Sequence, residues 1–226
     1  MTADHRKILI RANNMSIATA LITGALIFIP AGSLRFWNGW LFLAVFFVPW
    51  FFSIFYLGVK DPELLKKRSN LKEKNRTQMS IQVISFIIYI VMLVIPGLDH
   101  RFGWSRIPVL LIWLSAAATL AGFIMCIIVM RQNSYASRVI EIQDGQKLID
   151  TGLYSFVRHP MYLSLIILFV FSPLVLGSFF GLILAVLIPT LLVIRILNEE
   201  KVLREGLPGY REYAQKVRYR LIPLIW

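Results

Sequence analysis

Residues 161–197 read MYLSLIILFVFSPLVLGSFFGLILAVLIPTLLVIRIL, 37 residues with one charge, Arg195. A helix crosses the hydrocarbon core of a bilayer in roughly 20 residues, so this run is too long for one crossing and about right for two. Its middle, SPLVLGS, holds Ser172, Pro173, Gly177 and Ser178, the residue types that stop helices and build turns. We read a tight helical hairpin, with spans at about 161–176 and 178–197.

Four more apolar runs precede it, at about 16–34, 38–58, 80–97 and 107–130. The whole chain is 58% hydrophobic and 16% charged, against about 45–50% and about 25% for an ordinary soluble domain. The fold class expected is all-α, a polytopic transmembrane bundle of about six spans. Residues 1–130 supply spans one to four. Residues 131–226 supply a polar loop, the hairpin and a polar tail.

The formal charge of +12 suggests nucleic acid until the basic residues are sorted by segment. Arg6, Lys7 and Arg11 precede span one, and seven more fall between Lys60 and Arg76. Four lie between Arg131 and Arg158 and six between Lys201 and Arg220, whereas only Arg35, Arg101 and Arg106 fall in the alternate connections. That asymmetry is the positive-inside pattern of six spans. It places both termini and the polar loop and tail in the cytoplasm, and it also supports splitting the 37-residue run. The basic excess thus reports topology and contact with anionic lipid, with no nucleic-acid partner and no obligate protein partner expected. Cys126 is the only cysteine and sits in an apolar run, so no disulfide framework is expected. Span one is read as retained, since no small-residue cleavage site follows the polar start.

The distinctive polar residues gather in three places in the C-terminal half. The first is DTGLYSFVRHPMYLS, residues 150–164. Pro160 suits the first turn of a helix and pushes His159 out of the helical region. Span five therefore starts at Pro160, with Arg158 and His159 just before it. A helix start with an arginine beside it favours a carboxylate or phosphate. The structural alternative is an interfacial Arg–His anchor with Tyr154 and Tyr162 as belt aromatics. The second is IRILNEEKVLRE, residues 194–205, where Arg195 and Glu199 share a helical face and Glu200 points about 100° away. An ionisable residue inside a span is costly and marks a functional hypothesis; outward snorkelling is the alternative. The third is the tail, LPGYREYAQKVRYRLIPLIW, residues 207–226. Pro208 opens a short amphipathic helix there, with Tyr210, Tyr213 and Val217 on one face, which either lies on the membrane or covers a cavity. With no glycine-rich phosphate loop, no HExxH and only His5, His100 and His159, no metal site is expected.

Together, NSYASRVIEIQDGQKLIDTGLYSFVRHPMYLS (133–164) and LLVIRILNEEKVLREGLPGYREYAQKVRYRLIP (191–223) resemble the isoprenylcysteine carboxyl methyltransferase family over about residues 131–226. The resemblance implies S-adenosylmethionine as methyl donor, S-adenosylhomocysteine as product, and a cytoplasmic loop and tail covering the cofactor site. It suggests that His159, Tyr162 and Glu200, with Tyr154 and backbone near Gly152, hold the cofactor. Arg195 and Glu199 match the pair tied to the acceptor carboxylate, and Arg158 serves either group. The acceptor implied is lipophilic, the carboxylate of an isoprenylated cysteine or a similar lipid-like acid, which meets the protein among membrane lipids. Phospholipid or amine N-methyltransferases and sterol-type reductases using NADPH have similar segments, and a non-catalytic lipid-binding relative is a further alternative. The chemistry agrees with a methyltransferase. A carboxylate acceptor already carries its nucleophilic lone pair, so in-line displacement needs alignment rather than a metal or a nucleophilic serine.

Overall fold

The structure is a computed structural model and describes residues 3–60, 64–65, 76–136 and 139–226. Most of the basic stretch between Lys60 and Arg76, and Arg138, lie outside the described residues. All regular structure among the described residues is helical. Four long helices come first: α1 (Ala3–Ala31), α2 (Trp37–Lys60), α3 (Arg76–Phe102) and α4 (Val109–Gln132). A 3₁₀ turn (Gly152–Ser155) precedes α5 (Pro160–Val175), α6 (Phe179–Ala185) and α7 (Leu187–Gly206), and α8 (Tyr210–Lys216) lies in the tail.

Five stretches are long and apolar enough to cross a membrane, and Pro160–Val175 is a shorter apolar sixth. The protein is therefore an integral, multi-pass helical bundle. Large apolar side chains such as Leu21, Ile29, Leu110 and Ile183 point outward, as they do where the surrounding solvent is lipid. The α6–α7 stretch is one span interrupted at Val186. Pro189 has no N–H to offer the carbonyl four residues earlier, which bends or breaks a helix there.

The expected hairpin forms, with one difference of detail. Pro173 stays inside α5, and the reversal is made by Leu176, Gly177 and Ser178, with Gly177 at φ +79°. Neighbouring helices grip this turn. The Asn38 side chain from α2 donates to the Val175 carbonyl at 3.0 Å, satisfying one of the carbonyls a helix end leaves open. Ser178 Oγ accepts from the Gly181 N–H at 3.0 Å, capping α6, and donates to the buried Asp99 carboxylate of α3. Asp99 also accepts from the Ser105 N–H and hydroxyl, at 2.6 and 2.7 Å. Replacing Ser178 by alanine removes the cap and one Asp99 partner together. A loss of about 1–2 kcal/mol is expected, read as a lower midpoint in detergent thermal unfolding.

The helices pack as one body. Ile27, Phe42, Leu93 and Ala116 from α1–α4 share a cluster with Val175 and Leu176 of the hairpin. α3 lies close against α1 because Gly97 has no side chain: an added Cβ would stand 2.5 Å from the Ile27 carbonyl oxygen. α3 also packs on α6 and α7, and α4 on α5. The end of the bundle opposite the hairpin turn thus gathers the end of α4, the start of α5, the end of α7, the 139–159 loop and the tail. The three polar segments read from the sequence meet there.

Candidate functional site

Helix α5 begins at Pro160 with His159 as its cap residue, at φ −125° and ψ 60°, as the proline requires. The chain just before it is held by the tail. The Arg158 N–H donates to the Tyr219 carbonyl and the His159 N–H to the Arg220 carbonyl, both at 2.9 Å. The Arg158 side chain continues the pattern, donating through Nη1 to the carbonyls of Ala214 and Val217 at 2.9 and 3.1 Å.

Beneath this junction sits Glu200, its side chain 4% exposed. One carboxylate oxygen lies 2.8 Å from Arg158 Nε and 3.4 Å from His159 Nε2. The other lies 3.2 Å from Arg220 Nε and 3.5 Å from Arg204 Nη2. These contacts are unequal. The Arg204 pair is half exposed and spaced i,i+4, a geometry worth about 0.3–0.5 kcal/mol. The Arg158 pair is fully buried, so losing either partner strands a charge. Arg220 in turn lies over the Trp226 ring, 4.9 Å from its centre.

A second node lies one helical turn deeper. Tyr162 donates its hydroxyl to Glu199 at 2.6 Å and accepts from Arg195 Nε at 3.0 Å. Arg195 Nη1 also donates to the Gln78 side-chain oxygen of α3 at 3.2 Å. The two nodes touch through the rings of His159 and Tyr162, whose centres are 5.7 Å apart. Because α7 turns about 100° per residue, consecutive glutamates serve different nodes, Glu199 with Tyr162 and Glu200 with the arginines.

The loop and tail close over this end. Leu207, Tyr210, Tyr213, Ala214 and Val217 pack with Ile142, Leu148 and Leu203, so the apolar face of α8 meets protein. Tyr213 donates to the Tyr154 carbonyl at 2.7 Å, and the Tyr154 hydroxyl accepts from Asn133 at 2.9 Å. Gly152 stands at φ +61°, and an added Cβ would lie 2.1 Å from the side-chain nitrogen of Gln132, whose oxygen accepts from the Leu153 N–H. The Tyr154–Gly152 turn is therefore fixed to the end of α4. Burial pushes the Tyr210 and Tyr213 hydroxyls above the ordinary phenol range, so both are neutral at physiological pH. The Tyr210 hydroxyl is buried and has no hydrogen-bond partner among the described residues.

The structure therefore brings His159, Glu200 and Arg158 into one node and Arg195, Glu199 and Tyr162 into the next. Tyr154 and Gly152 join through the tail. Tyr162 lies with the arginine–glutamate pair, whereas the resemblance grouped it with the cofactor residues. Three partners were not singled out from sequence: Gln78, Arg204 and Arg220. For Gln78 the available signal is a polar side chain at the start of an apolar span.

Residues 111–205 match the model of the isoprenylcysteine carboxyl methyltransferase (ICMT) family. This segment is similar to the ICMT family. It runs from α4 to the end of α7 and contains His159, Tyr162, Arg195, Glu199 and Glu200, so the resemblance read from the motifs is borne out. The matched segment excludes α3, which supplies Gln78, and the tail, which supplies Arg220 and Tyr210. No curated protein matches the chain.

Proposed function

We propose that this protein is a membrane methyltransferase that uses S-adenosylmethionine and methylates a lipophilic carboxylate, an isoprenylated cysteine or a similar lipid-like acid. The observation that carries the reading is the pair of adjoining buried nodes centred on residues of the matched segment, one built around Glu200 and the other around Arg195. The residues fit the donor. The buried Tyr210 hydroxyl without a partner, the His159 ring and the arginines around Glu200 suit a ligand carrying a carboxylate and polar groups, and the aromatic faces beside them favour a sulfonium.

In this reading His159, Glu200 and Tyr210 hold the cofactor, and Arg158 keeps Glu200 ionised and in place. Tyr154 and Gly152 shape the loop above. When bound, S-adenosylmethionine supplies an electrophilic methyl group. Arg195 orients the acceptor carboxylate by its guanidinium, a planar fork matched to that geometry. Tyr162 and Glu199 hold Arg195 in position. No residue has to remove a proton, since the acceptor oxygen is already anionic. The loop and tail exclude water, and a lipid-tailed acceptor enters between helices from the bilayer. The active-site end faces the cytoplasm in this reading, which supplies the soluble donor.

Calorimetric titration of the detergent-solubilised protein with S-adenosylhomocysteine tests the cofactor, with reduced nicotinamide nucleotide as the control. Micromolar binding of the first alone is expected. Binding of the nucleotide instead would establish a reductase, and binding of neither by folded protein would overturn the enzymatic reading. Methyl transfer to a farnesylated cysteine analogue then tests the acceptor. A requirement for a general base, seen as activity rising with pH through an amine's range, would favour an N-methyltransferase.

A further inference from the structure

We infer that Gln78 is a positioning residue for Arg195, so that the catalytic unit extends beyond the matched segment into α3. The inference rests on the methyltransferase reading for its consequence and on geometry for its substance.

Gln78 is 1% exposed, buried at the start of a span where an amide without a function is costly. Its side-chain oxygen accepts from Arg195 Nη1 at 3.2 Å, across 117 residues of sequence. On the other side of the same guanidinium the Tyr162 hydroxyl accepts from Nε at 3.0 Å. Two oxygens from two helices, α3 and α5, therefore fix a planar group carried by a third, α7. One contact leaves such a group free to swing about it, whereas two fix its plane and its azimuth. In-line displacement is sensitive to that azimuth, because a misplacement of about 1 Å costs about 10²-fold.

The identity of the residue matters as much as its place. A carboxylate at 78 would pair with Arg195 and compete with an acidic acceptor. An aliphatic side chain would leave Nη1 without this acceptor. A glutamine supplies the oxygen and adds no charge, so it orients the arginine without drawing it from the substrate. The contact also gives α3 a role in the site, since its packing on α7 sets where the guanidinium points.

The test compares wild-type protein with Gln78→Met, which keeps the length and volume of the side chain and removes its acceptor. With a farnesylated cysteine analogue as acceptor, kcat/KM is expected to fall about tenfold, the size of one hydrogen bond to a charged group. S-adenosylhomocysteine affinity is expected to stay at the wild-type value. In protein labelled with ¹⁵N-arginine, the Arg195 guanidinium signal, assigned by its absence in Arg195→Lys, is expected to move in Gln78→Met. Wild-type turnover in Gln78→Met, an unmoved Arg195 signal, or a loss of cofactor affinity equal to the loss of turnover would each overturn the inference. A wild-type protein that methylates no acceptor would instead sink the methyltransferase reading, and the Arg195 signal would still decide whether Gln78 holds the guanidinium.

Discussion

Arg195→Ala is expected to lower turnover with a carboxylate acceptor by about 10²–10³-fold, the usual cost of removing one preorganised donor from a reacting oxygen. S-adenosylhomocysteine binding is expected to change little, because Arg195 belongs to the Tyr162–Glu199–Gln78 node and not to the Glu200 node. The separation is physical. The two glutamates differ by one position on α7, and that single step sends their side chains to different partners. Turnover under saturating acceptor, beside calorimetric titration of S-adenosylhomocysteine, measures both quantities on one preparation. Equal loss of cofactor affinity would mean that the two nodes act as one pocket and that Arg195 is no acceptor clamp. Undiminished turnover would remove Arg195 from the reaction. Tyr162→Phe should reproduce part of the loss, since it deletes the hydroxyl that holds Arg195 Nε and leaves the guanidinium its Gln78 contact.

The second large effect is expected at Glu200. Its carboxylate is the common counter-charge of Arg158 and Arg220, with His159 and Arg204 at longer range. Glu200→Ala leaves Arg158 buried without an anion, a change that costs about 3–5 kcal/mol. Repulsion between Arg158 and Arg220 adds to it. The damage should spread to the tail, because the same arginine holds the carbonyls of Ala214 and Val217. Two readouts are expected to fail together: a large drop in the thermal midpoint in detergent, and loss of S-adenosylhomocysteine binding at temperatures where the variant is still folded. Limited proteolysis should then cut first between residues 207 and 226. A variant with the wild-type midpoint and a tightly held tail would show that the arginines find other partners and that Glu200 organises nothing. Arg204→Ala is the internal contrast. That pair is exposed on one side and spaced i,i+4, so its loss should cost no more than about 0.5 kcal/mol.

Much of this protein follows from one-dimensional information because lipid is an unforgiving solvent. A span must be a closed run of apolar residues with its backbone bonded internally, so the long run at 161–197 and its central SPLVLGS had to form a hairpin. Pro160 had to start a helix, which put Arg158 and His159 at its entrance, and the helical period had to send Glu199 and Glu200 in different directions. The motif order was also legible, and the match over residues 111–205 supports it.

Sequence alone did not decide what any polar side chain would touch. The assignment of Tyr162 to the Arg195 pair depends on how α5 lies against α7. Gln78 joins the site only because α3 packs there, and nothing local in TQMSIQ (residues 77–82) encodes a partner 117 residues away. The choice between a tail lying on lipid and a tail closing over the site likewise rested on the apolar face of α8, which could face either. Packing against Ile142 and Leu148, with the Tyr213 and Arg158 hydrogen bonds, turns that face to protein. Periodicity and solvent fix where a chain must be helical, whereas the pairing of its polar groups is fixed only when separate helices come within hydrogen-bond reach.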